Sequence, residues 1–368
     1  MAKPADMKAL VDLTKTTQTL LIHYQSSLTP SKAHIVASST RTELSNPLDV
    51  VIATTKLLRS HTTTLSLLLI TPPLTPSAVM AKIGDVSSGV LSGMVTAASY
   101  TPQAGQQGDV GAIMRTEIRA RICRLLGTWG DVLALVLKMA ESRQRASQGS
   151  KDTGPSDSER QEVLSATGVV WEACDALLKL CTDGIVGLVV KKAGELRATV
   201  LDAIEELKEW GEDIEDDEDA AEGSDDEDNM FGTSNKLGKD DEALKALLAT
   251  SIKKLKMISM LYQAIGKRRL KTFPAPVTCA TPSTVNSTVL SPGKRLDDLM
   301  ALLKVIPETV DELASAFYDL DEDEVQELLE KCCNEAKNAA QMVSVDWTGK
   351  DDEFTMWLNK WKGALDAA

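Results

Sequence analysis

Catalytic chemistry needs a nucleophile, a base or a metal ligand held close to its partners, and this chain offers few groups arranged that way. The three histidines, His23, His34 and His61, all precede residue 62, whereas the six cysteines stand at 123, 174, 181, 279, 332 and 333. Their spacing matches no zinc site. There is no Gly-rich loop ending in Gly-Lys-Ser/Thr, no His-Glu-x-x-His and no nucleophile elbow. Cys174 and Cys181 share one helical face, which suits small buried apolar side chains better than ligands. Asp319, Asp321, Asp323 and Glu330 hold positions 1, 3, 5 and 12 of a calcium loop, but the sixth position is Glu324 where the sharp turn needs Gly. Asp321 with Glu324 reads instead as a capping box opening a helix. The expectation is a non-enzyme with no metal and no cofactor; a catalytic site without short motifs is the rival reading.

Three other patterns point to contacts with macromolecules. Leu296, Leu299, Leu303, Ile306, Val310, Leu313, Phe317 and Leu320 fall at alternating spacings of three and four. Such a seam can face a partner helix or, more commonly, lie inside the protein's own bundle. Pro307 interrupts it and predicts two helices joined at Ile306-Pro307. The residues before the seam, Ser291-Pro292-Gly293-Lys294-Arg295, are too poor in cations to grip DNA. The densest basic cluster, Lys267, Arg268, Arg269, Leu270 and Lys271, has three readings: a cationic helix end, a nuclear import signal, or an Arg-x-Leu docking peptide of the kind that enters cyclin grooves. Thr29 and Ser291 sit in Ser/Thr-Pro-x-Lys sequences and Ser224 precedes acids, so all three are candidates for phosphorylation, which would add about −1.5 to −2 charges.

These features must be positioned by helices. Apolar residues recur at three and four along most of the 368 residues, and the 14 aromatics are 4% of the chain, so the core must come from Leu, Val, Ile, Ala and Met. The fold class is all-α: up-and-down bundles of about ten to eleven helices. Helix starts are marked at Asn46-Pro47 and Thr75-Pro76, and a stop at Asp183-Gly184. The β-branched run Ile185 to Val190 leaves a strand as a local alternative. Expected domains are an N-terminal bundle over 1–210, an acidic disordered loop over 211–240, and a C-terminal helical region over 241–368 with a Pro/Ser/Thr-rich linker at 272–292.

Charge sorts the partners. Lys plus Arg number 40 against 54 Asp plus Glu, a net charge of −14, and the run Glu212 to Asp228 carries twelve of those acids. The remainder is nearly neutral. Direct DNA binding is therefore disfavoured, while the run offers a local anionic field that could shield basic clients such as histones or ribosomal proteins. No apolar stretch approaches the roughly 18 to 20 residues of a membrane helix, and residues 1–30 lack a signal-peptide layout. A reduced intracellular compartment is expected, with Asn286-Ser287-Thr288 unglycosylated.

Ser165-Ala166-Thr167-Gly168-Val169-Val170-Trp171-Glu172-Ala173-Cys174-Asp175, followed by Leu201-Asp202-Ala203-Ile204-Glu205-Glu206-Leu207, resembles the GCIP family, cyclin-D-binding proteins of helix-loop-helix type. Read from the residues themselves, Val170, Trp171, Cys174, Leu177 and Leu178 form a buried helix face. The resemblance implies an all-helical, non-enzymatic regulator, nuclear and cytoplasmic, that engages cyclins or helix-loop-helix transcription factors, lacks a basic region and restrains cell-cycle progression.

Overall fold

A computed structural model describes residues 4–29, 46–100, 110–146, 154–212, 236–238, 241–274 and 292–368. The fold is all-α, as the periodicity predicts. The helices are α1 (Pro4–Leu28), α2 (Pro47–Ile70), α3 (Pro76–Asp85), α4 (Ser92–Ser99), α5 (Ala112–Ala146), α6 (Asp157–Glu212), α7 (Glu242–Ala264), α8 (Pro292–Tyr318), α9 (Glu322–Met342) and α10 (Glu353–Ala367). The chain forms two compact units, Met1–Ile185 and Val186–Ala368.

In the first unit α1 packs on α5, and α2 packs on α3 and α4. Asn46 opens α2 as expected: its side chain accepts the Leu48 N–H at 3.1 Å, and Pro47 takes the first turn, where no amide is missed. The helical stretch opened at Thr75-Pro76 is continuous to Ser99, with a π-helical segment, Val86–Leu91, joining α3 to α4. Its glycines serve close packing at one place. A Cβ on Gly93 would lie 3.3 Å from Thr54 Cγ2, so α4 approaches α2 closely there. Leu10, Leu58, Ile83, Met114, Ile122 and Trp129 are fully buried, each apolar side chain contributing roughly 1.5–3 kcal/mol.

Gly184 marks the turn where the sequence placed a helix stop. Its φ of 64° and ψ of −168° break α6, and only glycine adopts that conformation without strain. The run Ile185 to Val190 continues as helix, which closes the strand alternative. The unit boundary also lies here and not at residue 210. Physically, the second half of α6 belongs to the second core: Arg197 Nε donates to Ser259 O at 3.1 Å, and Trp210 lies 6.0 Å from Phe317 and 5.7 Å from Tyr318, ring to ring.

In the second unit α8 packs along α9, and α7 on α9. The expected break at Pro307 does not occur, because α8 runs through it. A proline removes the N–H that would bond the carbonyl four residues earlier, and a buried orphan carbonyl is costly. Here the Tyr262 hydroxyl of α7 donates to Leu303 O at 2.7 Å, so the interrupted ladder is completed from outside the helix. Leu320, with φ of 59°, ends α8: the Asp321 N–H reaches Ala316 O at 3.1 Å and the Leu320 N–H reaches Phe317 O at 3.1 Å, a Schellman closure. Asp321 then caps α9 by accepting the Glu324 N–H at 2.9 Å.

Candidate functional site

The first half of α6 has two faces of different character. Ser156 and Glu159 form a reciprocal cap at its start, with the Ser156 N–H to Glu159 Oε2 at 2.7 Å and the Glu159 N–H to Ser156 Oγ at 3.2 Å. One face, Val163, Val170, Cys174 and Leu177, is buried. The other carries Leu164, Gly168, Trp171 and Asp175, spaced four, three and four apart, and all four are exposed. Trp171 was expected in the core, but it is 37% exposed. The physical reason is angular: Val169, Val170 and Trp171 are consecutive, and successive helical residues turn by about 100°, so one buried stripe cannot hold all three. Leu178 is likewise only half-buried.

Antiparallel α2 fixes the indole. The Trp171 Nε1–H donates to Thr63 Oγ1 at 3.2 Å, and Arg59 sits 5.7 Å from the Trp171 ring while its Nη1 pairs with Asp175 Oδ1 at 2.5 Å. Arg59 opposite Asp175 and Thr63 opposite Trp171 set the register. One turn further along α2 in this antiparallel register comes Leu67, and one turn back along α6 come Gly168 and Leu164. Leu67 and Leu164 are 56% and 55% exposed. The result is an apolar face around a tryptophan whose ring is already oriented. A Cβ at Gly168 would meet nothing within 4 Å, so the bundle itself gives no reason for a glycine there.

The thiols nearest this face are not activated. Burial pushes the neighbouring Cys174 thiol up to about 12 and Cys181 up to about 11, so neither is a nucleophile at neutral pH. Among the described residues no group of three or more His, Cys, Asp or Glu side chains could hold a metal ion. No described helix is long and apolar enough to cross a membrane.

The seam proposed from the heptad is not a surface. Leu296, Leu299, Leu303, Ile306, Val310, Leu313 and Phe317 are fully buried in the second unit, and Leu320 lies in the turn that ends α8. A heptad facing its own bundle and one facing a partner have the same spacing; contact with α9 decides between them. The basic cluster is corrected as well. Lys267, Arg268 and Lys271 are exposed, but Leu270 and Arg269 are buried. Arg269 Nε donates to Val343 O at 2.9 Å, its Nη atoms clasp both Asp352 oxygens at 2.6 and 2.9 Å, and the guanidinium lies 4.5 Å from the centre of the Phe354 ring. A docking Arg-x-Leu needs its leucine free, and this one is in the core. Thr29 closes α1: its hydroxyl and its N–H both donate to Gln25 O. Ser224 and Ser291 lie outside the described residues.

Residues 50–213 match the family described as Grap2 and cyclin-D-interacting, N-terminal. That segment is similar to the N-terminal domain of GCIP proteins. An uncharacterized protein of Schizosaccharomyces pombe is 23% identical over 198 residues, covering 54% of this chain and 53% of its own length. The chain thus spans about half of that curated relative. The matched segment contains all of α6 and most of α2, and so both walls of the Trp171 face. Arg59, Thr63, Leu67 and Leu164 were not singled out from the sequence, although the unbroken run Leu67-Leu68-Leu69-Ile70 already requires that some of its apolar side chains face outward.

Proposed function

We propose that this protein is a non-enzymatic interaction regulator of the cell cycle or of transcription, which binds cyclins or helix-loop-helix proteins through the α2–α6 face and does not contact DNA. The observation that carries this reading is Trp171. It lies in the family motif, stays exposed, and is held in place by Thr63 and Arg59. A tryptophan fixed before binding, with an arginine against its ring, has the residue types enriched in interface hot spots. The family description supports a D-type cyclin as first partner. The compartments are the nucleus and cytoplasm, as the resemblance implies, and phosphorylation at Thr29, Ser224 or Ser291 would modulate binding by adding charge.

The test is capture of a purified D-type cyclin by Leu67→Asp/Leu164→Asp. Both side chains are exposed, so circular dichroism should remain native while affinity falls about 100-fold, the loss of a hot-spot pair. Undiminished capture by the folded variant rejects the face. A second reading, an escort for basic clients, rests on the twelve acids between Glu212 and Asp228. Deleting residues 212–228 should then abolish histone binding, and that binding should be strongly weakened by salt.

A further inference from the structure

On the flank of α6 away from Trp171 lies an open trough of about 850 Å³, walled by α5 and the start of α6. Its floor is apolar and shallow: Ala134 and Leu135 of α5, Ala166 and Val169 of α6. From Ser158 to Val169 the α6 wall runs roughly 16 Å, three helical turns. Ser165 and the two alanines put little bulk in the way of an approaching backbone. The charged lining has one sign. Asp131, Asp157 and Glu162 line the trough, and no Lys or Arg does. Two of these carboxylates are partly neutralised from outside, Glu162 by Lys138 at 2.7 Å and Asp157 by Arg160 at 3.7 Å. No cation is paired with Asp131 among the described residues.

We infer that this trough is a second docking site, which takes an amphipathic helix of another protein, about three turns long, with an apolar stripe flanked by Lys or Arg. Shape and charge both select that occupant. Two helical walls with apolar side chains between them accept a third helix, and an all-acidic charged lining, with Asp131 unpaired among the described residues, favours cations on its flanks. The chain's own run Glu212 to Asp228 is excluded as occupant by like charge. The site is independent of the Trp171 face, because it uses a different flank of α6 and residues of α5.

The experiment places the photo-crosslinking residue p-benzoylphenylalanine at Ala134 in the full chain, in cells, and at Leu164 in a parallel variant. The expected result is an adduct at Ala134 whose crosslinked peptide, read by mass spectrometry, is a helical segment with basic residues beside an apolar stripe. Asp131→Lys/Asp157→Lys should cut that adduct about tenfold. Ser165→Arg, which fills the trough and touches no ion pair, should do the same, with both variants folded by circular dichroism. No adduct at Ala134, an adduct to a second copy of this chain, an adduct to an acidic or extended segment, or a yield indifferent to the two variants overturns the inference. Adducts at Leu164 alone would leave the Trp171 reading standing and remove the trough; adducts at Ala134 alone would do the reverse.

Discussion

If Arg269 is a structural clasp and not part of a signal, Arg269→Met should destabilise the second unit and alter its acid sensitivity. The side chain is completely buried, and its guanidinium joins the end of the α7 region to the segment leading into α10: Val343 O at 2.9 Å, Ser344 O at 3.2 Å and both oxygens of Asp352. Asp352 is also the N-cap of α10, accepting the Thr355 N–H at 3.0 Å. Methionine keeps much of the packing but removes every donor. Breaking one side of a buried pair costs about 3–5 kcal/mol, and the lower end applies because the Asp352 side chain is 33% exposed and water can take the place of the lost partner. A loss of about 3 kcal/mol corresponds to a fall in Tm of roughly 6–12 °C for a unit of this size. The pH dependence gives an independent check. Hydrogen bonding to Arg269 lowers the Asp352 pKa from 3.8 to about 2. A depressed folded-state value means that the stabilisation is complete above 3.8 and is lost as pH falls towards 2. After allowance for solvent screening it amounts to about 1–2 kcal/mol. Urea unfolding followed by circular dichroism across this range should show the loss in the wild type and a much flatter response in Arg269→Met. An unchanged Tm, or the same acid slope in both proteins, would refute the clasp.

Leu299→Asp/Leu313→Asp should unfold the second unit, seen as lost ellipticity and a broadened melt, because two carboxylates would replace fully buried leucines; a native spectrum would return the seam to the surface. Tyr262→Phe should cost about 1–3 kcal/mol by orphaning the Leu303 carbonyl, and Pro307→Ala in that background should recover most of it by supplying the missing N–H. Equal melts for the single and double variants would show that the hydroxyl does not complete the ladder. Gly168→Ala should raise stability by about 0.5–1 kcal/mol, since its Cβ meets nothing, while weakening cyclin capture if a partner backbone approaches there. A gain in stability with full capture would free that glycine of any role in binding.

Spacing carried most of the fold into view, because a period near 3.6 states which residues share a face. It cannot state what covers the face. Leu296 to Phe317 were legible as a seam, but whether α9 or a partner lies against them depends on residues beyond the seam. Pro307 was read as a break for the same reason: the donor that relieves it, Tyr262, lies 41 residues before the Leu303 carbonyl that it reaches. Arg269 looked like one member of a basic run, and its true partner, Asp352, is 83 residues away. Local composition shows charge, whereas burial of charge is settled by a distant counter-ion. The acidic run drew the domain boundary towards residue 210, yet Trp210 is held by Phe317 and Tyr318, and the turn that separates the units is the single glycine at 184. Trp171 is the opposite case. Three consecutive apolar residues span about 200° of the helix, so they cannot share one buried stripe, and the structure shows that Val170 stays in the core while Val169 and Trp171 leave it.

The family motif therefore divides by angle into two halves with separate duties. Val170 and Cys174 fill the core of the first unit and would be retained by any sequence that must fold this way. Gly168 and Trp171 do the reverse. A glycine in mid-helix weakens it by about 1 kcal/mol relative to alanine, and an exposed tryptophan forgoes part of the burial its ring could provide. Folding alone favours neither choice, and both fall on the same exposed strip, beside Leu164. Where a sequence departs from what its own fold prefers, and the departures cluster on one surface, that surface is where selection for something other than stability acts. In this chain the strip has an oriented indole on one side and an acid-lined trough on the other, so both proposed docking surfaces meet on the first half of α6.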